Sequence, residues 1–333
     1  MIERNFHPFL ENKLNQKDKQ VKKVLFIDTT HSILQEELTK MGFQCEYFPN
    51  YSKDDFQNCV HEYLGIIIRS KIKIDKEFID KTKDLKFIAR VGSGLENIDV
   101  EYAENKGIKC INSPEGYRDA VAEQALGMLL SLFNKLNIAD KEVRQGIWKR
   151  EENRGLEIKD KTIGIIGYGN TGSAFAQRLS GFEANVLAYD KYKFNFSDKF
   201  VKESSLDEIF LKADILSLHI PLTDETTFLV DDEFINKFKK NIFIINTSRG
   251  RILKTDALVK NLKEGKILGA ALDVLEYEGL SFENIEKEKL SDSFKWLAKS
   301  EKVILSPHIA GWTKESKYRI AKIIADKIRL LEI

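Results

Sequence analysis

The 333-residue chain has few cysteines, no long apolar run and almost no net charge. Its three cysteines, Cys45, Cys59 and Cys110, lie far apart and form no CxxC pair. That excludes a disulfide framework and a cysteine zinc site; no metal is expected, and the thiols read as reduced and mostly buried in a cytoplasmic protein. The longest apolar runs, such as 64–68 and 242–245, are far short of the ~20 residues of a membrane helix. With 53 Lys+Arg against 52 Asp+Glu the formal net charge is +1, so no general field draws the chain to nucleic acid or anionic lipid. Residues 1–20 are polar and mixed in charge, without the apolar segment of a signal peptide, and read as a frayed extension. The sequons at Asn195 and Asn246 therefore have no secretory context, and no repeat or low-complexity tract is visible.

What is present is a globular composition, 42% hydrophobic and 32% charged, on a chain long enough for two cores. From residue 23 to 112, five short apolar segments (23–28, 43–48, 64–69, 85–90 and 108–112) alternate with polar helical or turn segments. Their β-branched character suits parallel strands covered on both faces. Ser113-Pro114-Glu115-Gly116 breaks the rhythm, and a helix over 118–134 follows, with Val121, Ala125, Met128, Leu129 and Leu132 on one face. A second series predicts six strands at 162–166, 186–189, 215–219, 242–246, 269–273 and 303–305, which is what a doubly wound dinucleotide-binding domain needs. A last helix over 314–331 lies beyond that count and is expected to return to the first sheet. The reading is two doubly wound α/β domains, one inserted in the other: 1–116 plus 309–333, and 117–308.

The strand at 162–166 runs into Gly167-Tyr-Gly169-Asn170-Thr171-Gly172 and then a helix. A strand before, a helix after and an acid closing the next strand give this glycine pattern its meaning. Gly167 serves the tight turn, Gly169 the approach of a pyrophosphate and Gly172 the packing of helix on strand. The pyrophosphate is expected at the positive helix N-terminus. Asp190, about 20 residues on, suits a ribose hydroxyl and repels a 2′-phosphate, which favours NAD over NADP. Lys191 and Lys193 are neighbouring cations that could offset it.

Three strand ends in the second series carry polar groups: Arg249 in Asn246-Thr-Ser-Arg-Gly250, Glu278 in Asp273-Val-Leu-Glu-Tyr-Glu278, and His308 in Ser306-Pro-His-Ile-Ala-Gly311. Ligands of open α/β sheets bind outside the carboxyl ends of the strands, so one cation, one carboxylate and one histidine are expected to converge there. Hydride transfer between nicotinamide and a 2-hydroxy or 2-keto acid needs those types. His308 serves as acid/base near neutral pH, Glu278 pairs with it and raises its pKa, and Arg249 grips a carboxylate and polarises the carbonyl.

Residues 23–330 resemble the D-isomer-specific 2-hydroxyacid dehydrogenases, through Gly92-Ser-Gly-Leu-Glu-Asn-Ile-Asp99, Val121-Ala-Glu123, Gly167–Gly172, His219-Ile-Pro-Leu222, Asn246–Gly250, Gly269–Asp273 and Pro307-His308. The resemblance implies a Rossmann NAD-binding domain inserted in a flavodoxin-like substrate domain, with the catalytic roles given above. It also implies Ser93 and Gly94 amides on the substrate carboxylate, and cofactor contacts from Asn170, Thr171, Asp190, His219, Pro221, Leu222, Thr247 and Asp273. A homodimer through the 118–134 region is implied as well. Within the family, Ile68-Arg69-Ser70-Lys71, the 88–94 segment and Trp148-Lys-Arg150 resemble the phosphoglycerate dehydrogenase branch of serine synthesis. A C3 phosphate needs surrounding cations, for which Arg69 with Ser70, Arg90 and Arg150 are the candidates. Relatives acting on glyoxylate or hydroxypyruvate, and NAD(H)-sensing corepressors, are the alternative readings. Gly279 stands where proline usually follows the glutamate, 281–300 is longer than the family pattern and near the expected cleft, and the chain is expected to lack a serine-binding regulatory domain.

Overall fold

The structure, a computed structural model, describes residues 21–279 and 290–333. The first series runs β1 (Lys22–Phe26), α1 (Ser32–Lys40), β2 (Phe43–Tyr47), α2 (Lys53–Cys59), β3 (Gly65–Ile68), α3 (Lys76–Asp80), β4 (Phe87–Arg90), α4 (Val100–Asn105) and β5 (Lys109–Ile111). After α5 (Arg118–Phe133) and α6 (Leu136–Arg144), the second runs β6 (Thr162–Ile166), α7 (Asn170–Leu179), β7 (Asn185–Tyr189), β8 (Lys202–Glu203), α8 (Leu206–Lys212), β9 (Ile215–Leu218), α9 (Asp232–Asn236), β10 (Ile242–Asn246), α10 (Thr255–Glu264), β11 (Ile267–Leu272), α11 (Asp292–Leu297) and β12 (Val303–Leu305), closing with α12 (Lys314–Arg329).

These strands form two all-parallel sheets, ordered β2-β1-β3-β4-β5 and β12-β11-β10-β9-β6-β7-β8. Both are doubly wound, with helices on both faces, and each has a point where the strand order reverses. Every residue of β3 and β4 is buried, as their unbroken apolar character requires. The second sheet has one strand more than the six expected. β8 is only Lys-Glu, too short and polar to leave a pattern in the sequence.

α12 returns to the first sheet and buries Ile320, Ala321, Ile324, Ala325 and Ile328 against Val24, Phe26, Phe87 and Ala89. Thr313 and Ser316 form a capping box that starts it. α5 packs on the second sheet, its Ala122, Ala125, Leu129 and Phe133 meeting Ile163, Ile245 and Ala271. The three cysteines are free, but half-buried rather than mostly buried. Burial pushes the Cys45 and Cys110 thiols up to about 11, so they remain protonated and unreactive near neutral pH.

Of the long 281–300 segment, Phe282 and its neighbours up to 289 lie outside the described residues. The rest forms α11, which packs on the second sheet's helices: Leu297 is in that core, Phe294 meets Tyr277 edge-on at 5.8 Å and Trp296 lies under Lys263. Among the described residues no helix is long and apolar enough to cross a membrane.

Candidate active site

The glycine-rich turn sits where the second sheet reverses its strand order, between the ends of β6 and β9. Gly167 has φ +94°, and a Cβ there would lie 2.5 Å from the His219 carbonyl oxygen. A Cβ at Gly172 would lie 2.1 Å from the Gly167 carbonyl oxygen. At Gly169, by contrast, a Cβ would meet nothing within 4 Å. Two of the glycines are thus demanded by packing, while Gly169 leaves a gap in front of the helix. α7 starts there with no side-chain cap, so its first turn, Asn170 to Gly172, presents amides suited to an anion.

Asp190, at the end of β7, accepts from the Tyr168 amide at 2.8 Å and from the Tyr192 and Lys193 amides at 2.9 and 3.1 Å. The residue expected at the ribose therefore also holds the glycine turn in shape. Neither lysine ammonium pairs with it: Lys191 bonds Glu225 at 2.6 Å and Lys193 donates to the Tyr168 carbonyl at 3.1 Å. His219 is buried, its Nε2 2.8 Å from Ser217 Oγ and its Nδ1 3.2 Å from Thr171 Oγ1. Burial lowers its pKa to about 4, so the ring is neutral and joins β9 to the first turn of α7. Exposed Pro221 and half-buried Leu222 continue this rim. The Thr247 hydroxyl is buried without a protein partner, which a bound ligand would satisfy. The gap at Gly169, the uncapped helix, Asp190 and this orphaned hydroxyl fit NAD.

The expected acid/base pair, His308 and Glu278, stands on the adjoining strand ends. His308 Nδ1 lies 2.6 Å from Glu278 Oε2. A carboxylate only accepts, so Nδ1 is the donor in this pair. Glu278 Oε1 accepts from the Leu275 amide at 2.5 Å, which fixes the carboxylate. His308 has φ +54°, a left-handed conformation that few non-glycine residues adopt. Asp273, 1% exposed, braces this turn. Its carbonyl accepts from His308 N at 2.7 Å, and its carboxylate accepts from Ser306 Oγ, Ile309 N and Ala310 N at 2.5, 2.9 and 2.8 Å. The residue expected at the nicotinamide amide thus also builds the histidine turn. Gly250 lets the Arg249 turn abut the Glu278 turn, since a Cβ there would sit 2.0 Å from the Leu275 backbone.

The first sheet faces these groups with its own cations. Asp28, two residues beyond β1, accepts from the Arg69, Ser70 and Lys71 amides at 2.6, 3.1 and 3.3 Å and so shapes the turn after β3. The Arg69 guanidinium lies 5.0 Å from the centre of the Trp312 ring. Arg90 is only 8% exposed; its Nε donates to the Arg69 carbonyl at 3.0 Å, and burial lowers its pKa, opposed by the charge of Glu96. Its guanidinium fills the space above Gly92, where a Cβ would lie 2.4 Å from Nη1. Ser93 is held through its carbonyl by Asn112 Nδ2 at 2.6 Å. Arg249 reaches across from the second sheet: its Nε and Nη2 both lie 2.8 Å from Glu96 Oε1, and Nη1 donates to the Ser248 carbonyl at 2.8 Å.

Arg249, Glu278, His308, Arg69 and Arg90 therefore belong to neighbouring strand ends of the two sheets. Arg150 is exposed. Its segment is tied to α6 by Glu142, which bonds Lys149 and Asn153 at 3.0 and 2.6 Å. Asp28, Glu96 and Trp312 are site residues that the sequence reading passed over. The available signals were an acid just beyond β1, an acid inside the GSGLEN run and an aromatic four residues after His308.

Residues 126–310 match the family described as D-isomer specific 2-hydroxyacid dehydrogenase, NAD binding domain. The chain is 34% identical over 308 residues to a D-3-phosphoglycerate dehydrogenase of Archaeoglobus fulgidus, covering 92% of this chain but 56% of that one. It thus spans little more than half the length of that relative. It is 36% identical to a hydroxypyruvate reductase of Thermotoga maritima, covering 83% of this chain and 87% of the relative. Among solved structures, a D-lactate dehydrogenase from Aquifex aeolicus, complexed with NAD and lactic acid, superposes with a TM-score of 0.79 at 29% identity, covering 92% and 95% of the two chains. The chain belongs to the NAD-dependent D-isomer-specific 2-hydroxyacid dehydrogenases, and its second sheet is that family's NAD-binding domain.

Proposed function

We propose that this protein moves a hydride between NAD(H) and C2 of a D-2-hydroxy/2-keto acid, with Arg249, His308 and Glu278 as its catalytic residues. The His308–Glu278 pair, on the strand end beside Arg249, carries this reading. In the direction of reduction, bound NADH supplies the hydride to C2. Arg249 binds the substrate carboxylate and polarises the C2 carbonyl, helped by the Ser93 and Gly94 amides. His308 Nε2 gives its proton to the carbonyl oxygen as that oxygen gains charge. Glu278 stabilises the imidazolium through Nδ1 and fixes the ring. Oxidation runs the same steps backward, with His308 accepting the hydroxyl proton.

For the substrate, 3-phosphohydroxypyruvate and 3-phosphoglycerate are the reading, and a place in serine synthesis follows from it. It is supported by Arg69, stacked on Trp312 at the cleft with Arg90 behind it, and by the similarity to a phosphoglycerate dehydrogenase. The inward fold of Arg90 favours a second reading, an unphosphorylated keto acid such as hydroxypyruvate, with Arg69 as a cation at the C3 end. Residues 1–116 with 309–333 serve as the substrate-binding part and 117–308 as the NAD-binding part. Self-association as a homodimer is supported by exposed Leu136, Val143, Ile147 and Trp148 on and after α6, next to α5. NADH oxidation with phosphohydroxypyruvate, hydroxypyruvate, glyoxylate and pyruvate tests the reading. Preference for the phosphorylated acid, lost in Arg69→Ala, supports it; equal use of unphosphorylated acids supports the second.

A further inference from the structure

Glu96 links the two sheets through its ion pair with Arg249. It follows β4, whereas the arginine it binds follows β10. Both Arg249 Nε and Nη2 lie 2.8 Å from Glu96 Oε1. Partial burial raises the Glu96 carboxyl pKa, but the charges of Arg249 and Arg90 overcome it and the net shift is downward. Glu96 is therefore ionised at neutral pH.

The glycines of Gly92-Ser-Gly94 explain how the carboxylate gets there. A Cβ on Gly94 would lie 2.0 and 2.3 Å from the two Glu96 carboxylate oxygens, as one on Gly92 would lie 2.4 Å from the Arg90 guanidinium. Each glycine is a gap filled by a charged group of its own segment, and the two groups are mutually attractive. The result is a chain of alternating charge, Arg90, Glu96, Arg249, crossing from one sheet to the other.

We infer that Glu96 is the positioning residue of Arg249: seated in the gap left by Gly94, its carboxylate holds the Nε/Nη2 edge of the guanidinium, so that Arg249 meets the substrate carboxylate already aimed. A guanidinium on a long flexible stem loses rotamer freedom when it grips a ligand, and a fixed ionic partner removes that cost before binding. This rests on the reading of Arg249 as the substrate-gripping cation.

The test compares wild type, Glu96→Gln and Glu96→Asp by steady-state kinetics with the best keto acid of the panel, and by titration of the NADH-loaded protein with oxalate. Glu96→Gln is expected to raise the keto-acid KM and the oxalate Kd by about tenfold or more, the weight of a charge-assisted bond, with NADH affinity unchanged. Glu96→Asp keeps the charge and is expected to recover part of the loss. A lower kcat with unchanged KM and oxalate Kd would mean that Glu96 only supports the fold, and would overturn the inference. A lower KM would overturn it too, since Glu96 would then compete with the substrate. Wild type that turns over no keto acid but binds oxalate, with that binding weakened in Glu96→Gln, would instead sink the proposed reaction and leave this inference standing; binding no oxalate either would sink both.

Discussion

Asp273 accepts the His308 amide on its carbonyl at 2.7 Å and, with its carboxylate, the two amides that follow. Three consecutive amides are thereby bound to one buried residue at the end of β11, and the histidine is held at φ +54°. A strained backbone persists only where its surroundings over-determine it. Asp273→Asn replaces an acceptor oxygen by an NH2 facing a donor, and the lost pairing is worth about 1–3 kcal/mol. A turnover number at least about tenfold lower, with a reduced melting temperature, is the expected outcome. Unchanged kinetics would show that the turn holds itself.

Gly172→Ala places a methyl group 2.1 Å from the Gly167 carbonyl oxygen. The partner is backbone, so α7 must move away from β6, and strain of about 1–3 kcal/mol follows. NADH affinity measured by fluorescence titration is expected to fall roughly tenfold. The same substitution at Gly169, where the space is open, leaves the apo fold unchanged and acts on the cofactor alone, as thermal melts with and without NADH will separate.

Burial lowers the His219 pKa to about 4, from an ordinary 6.5. Below pH 6.5 the unfolded chain takes up a proton that the folded chain refuses, so stability is present above that pH and is lost as pH falls toward 4. The contribution is on the order of 3 kcal/mol. Chemical denaturation at pH 7, 5.5 and 4.5 is expected to show this loss in wild type and a shallower one in His219→Gln. Parallel curves for the two proteins would refute it.

Glu37 joins α1 to α12, accepting from Lys40, Lys322 and Arg329 at 2.9, 3.2 and 2.6 Å. Hydrogen bonds from these three cations hold its carboxyl down to about 2, against an ordinary 4.5. The depressed pKa gives stability that is present above pH 4.5 and lost as pH falls toward 2. Glu37→Gln is accordingly expected to melt earlier than wild type at pH 7, with the gap narrowing as pH approaches 3. A gap independent of pH would assign the effect to packing.

Much of this fold was legible because its strands are unbroken β-branched runs and its helices carry apolar stripes. Thr162–Ile166 with Gly167–Gly172, and the polar ends after β10, β11 and β12, located the second sheet and its candidate site residues from local pattern. What stayed hidden was non-local. Glu96 and Arg249 are far apart in sequence and meet only when the two sheets face each other, so no spacing announces their pairing. Arg90 read as a cleft cation because it ends a strand; its inward fold depends on the gap at Gly92. β8 holds by two residues and leaves no periodicity. Asp28 is one acid just beyond a strand until β1 and β3 are known to be neighbours.

The central claim is that His308, fixed by Glu278, transfers the proton that accompanies hydride transfer at C2. It is tested most directly by NADH oxidation with the preferred keto acid in wild type and His308→Asn, alongside NADH titration of both. The account predicts turnover at least about 100-fold lower in the variant, with NADH affinity within roughly twofold of wild type. Turnover retained by His308→Asn would contradict it and move the acid/base role to another residue.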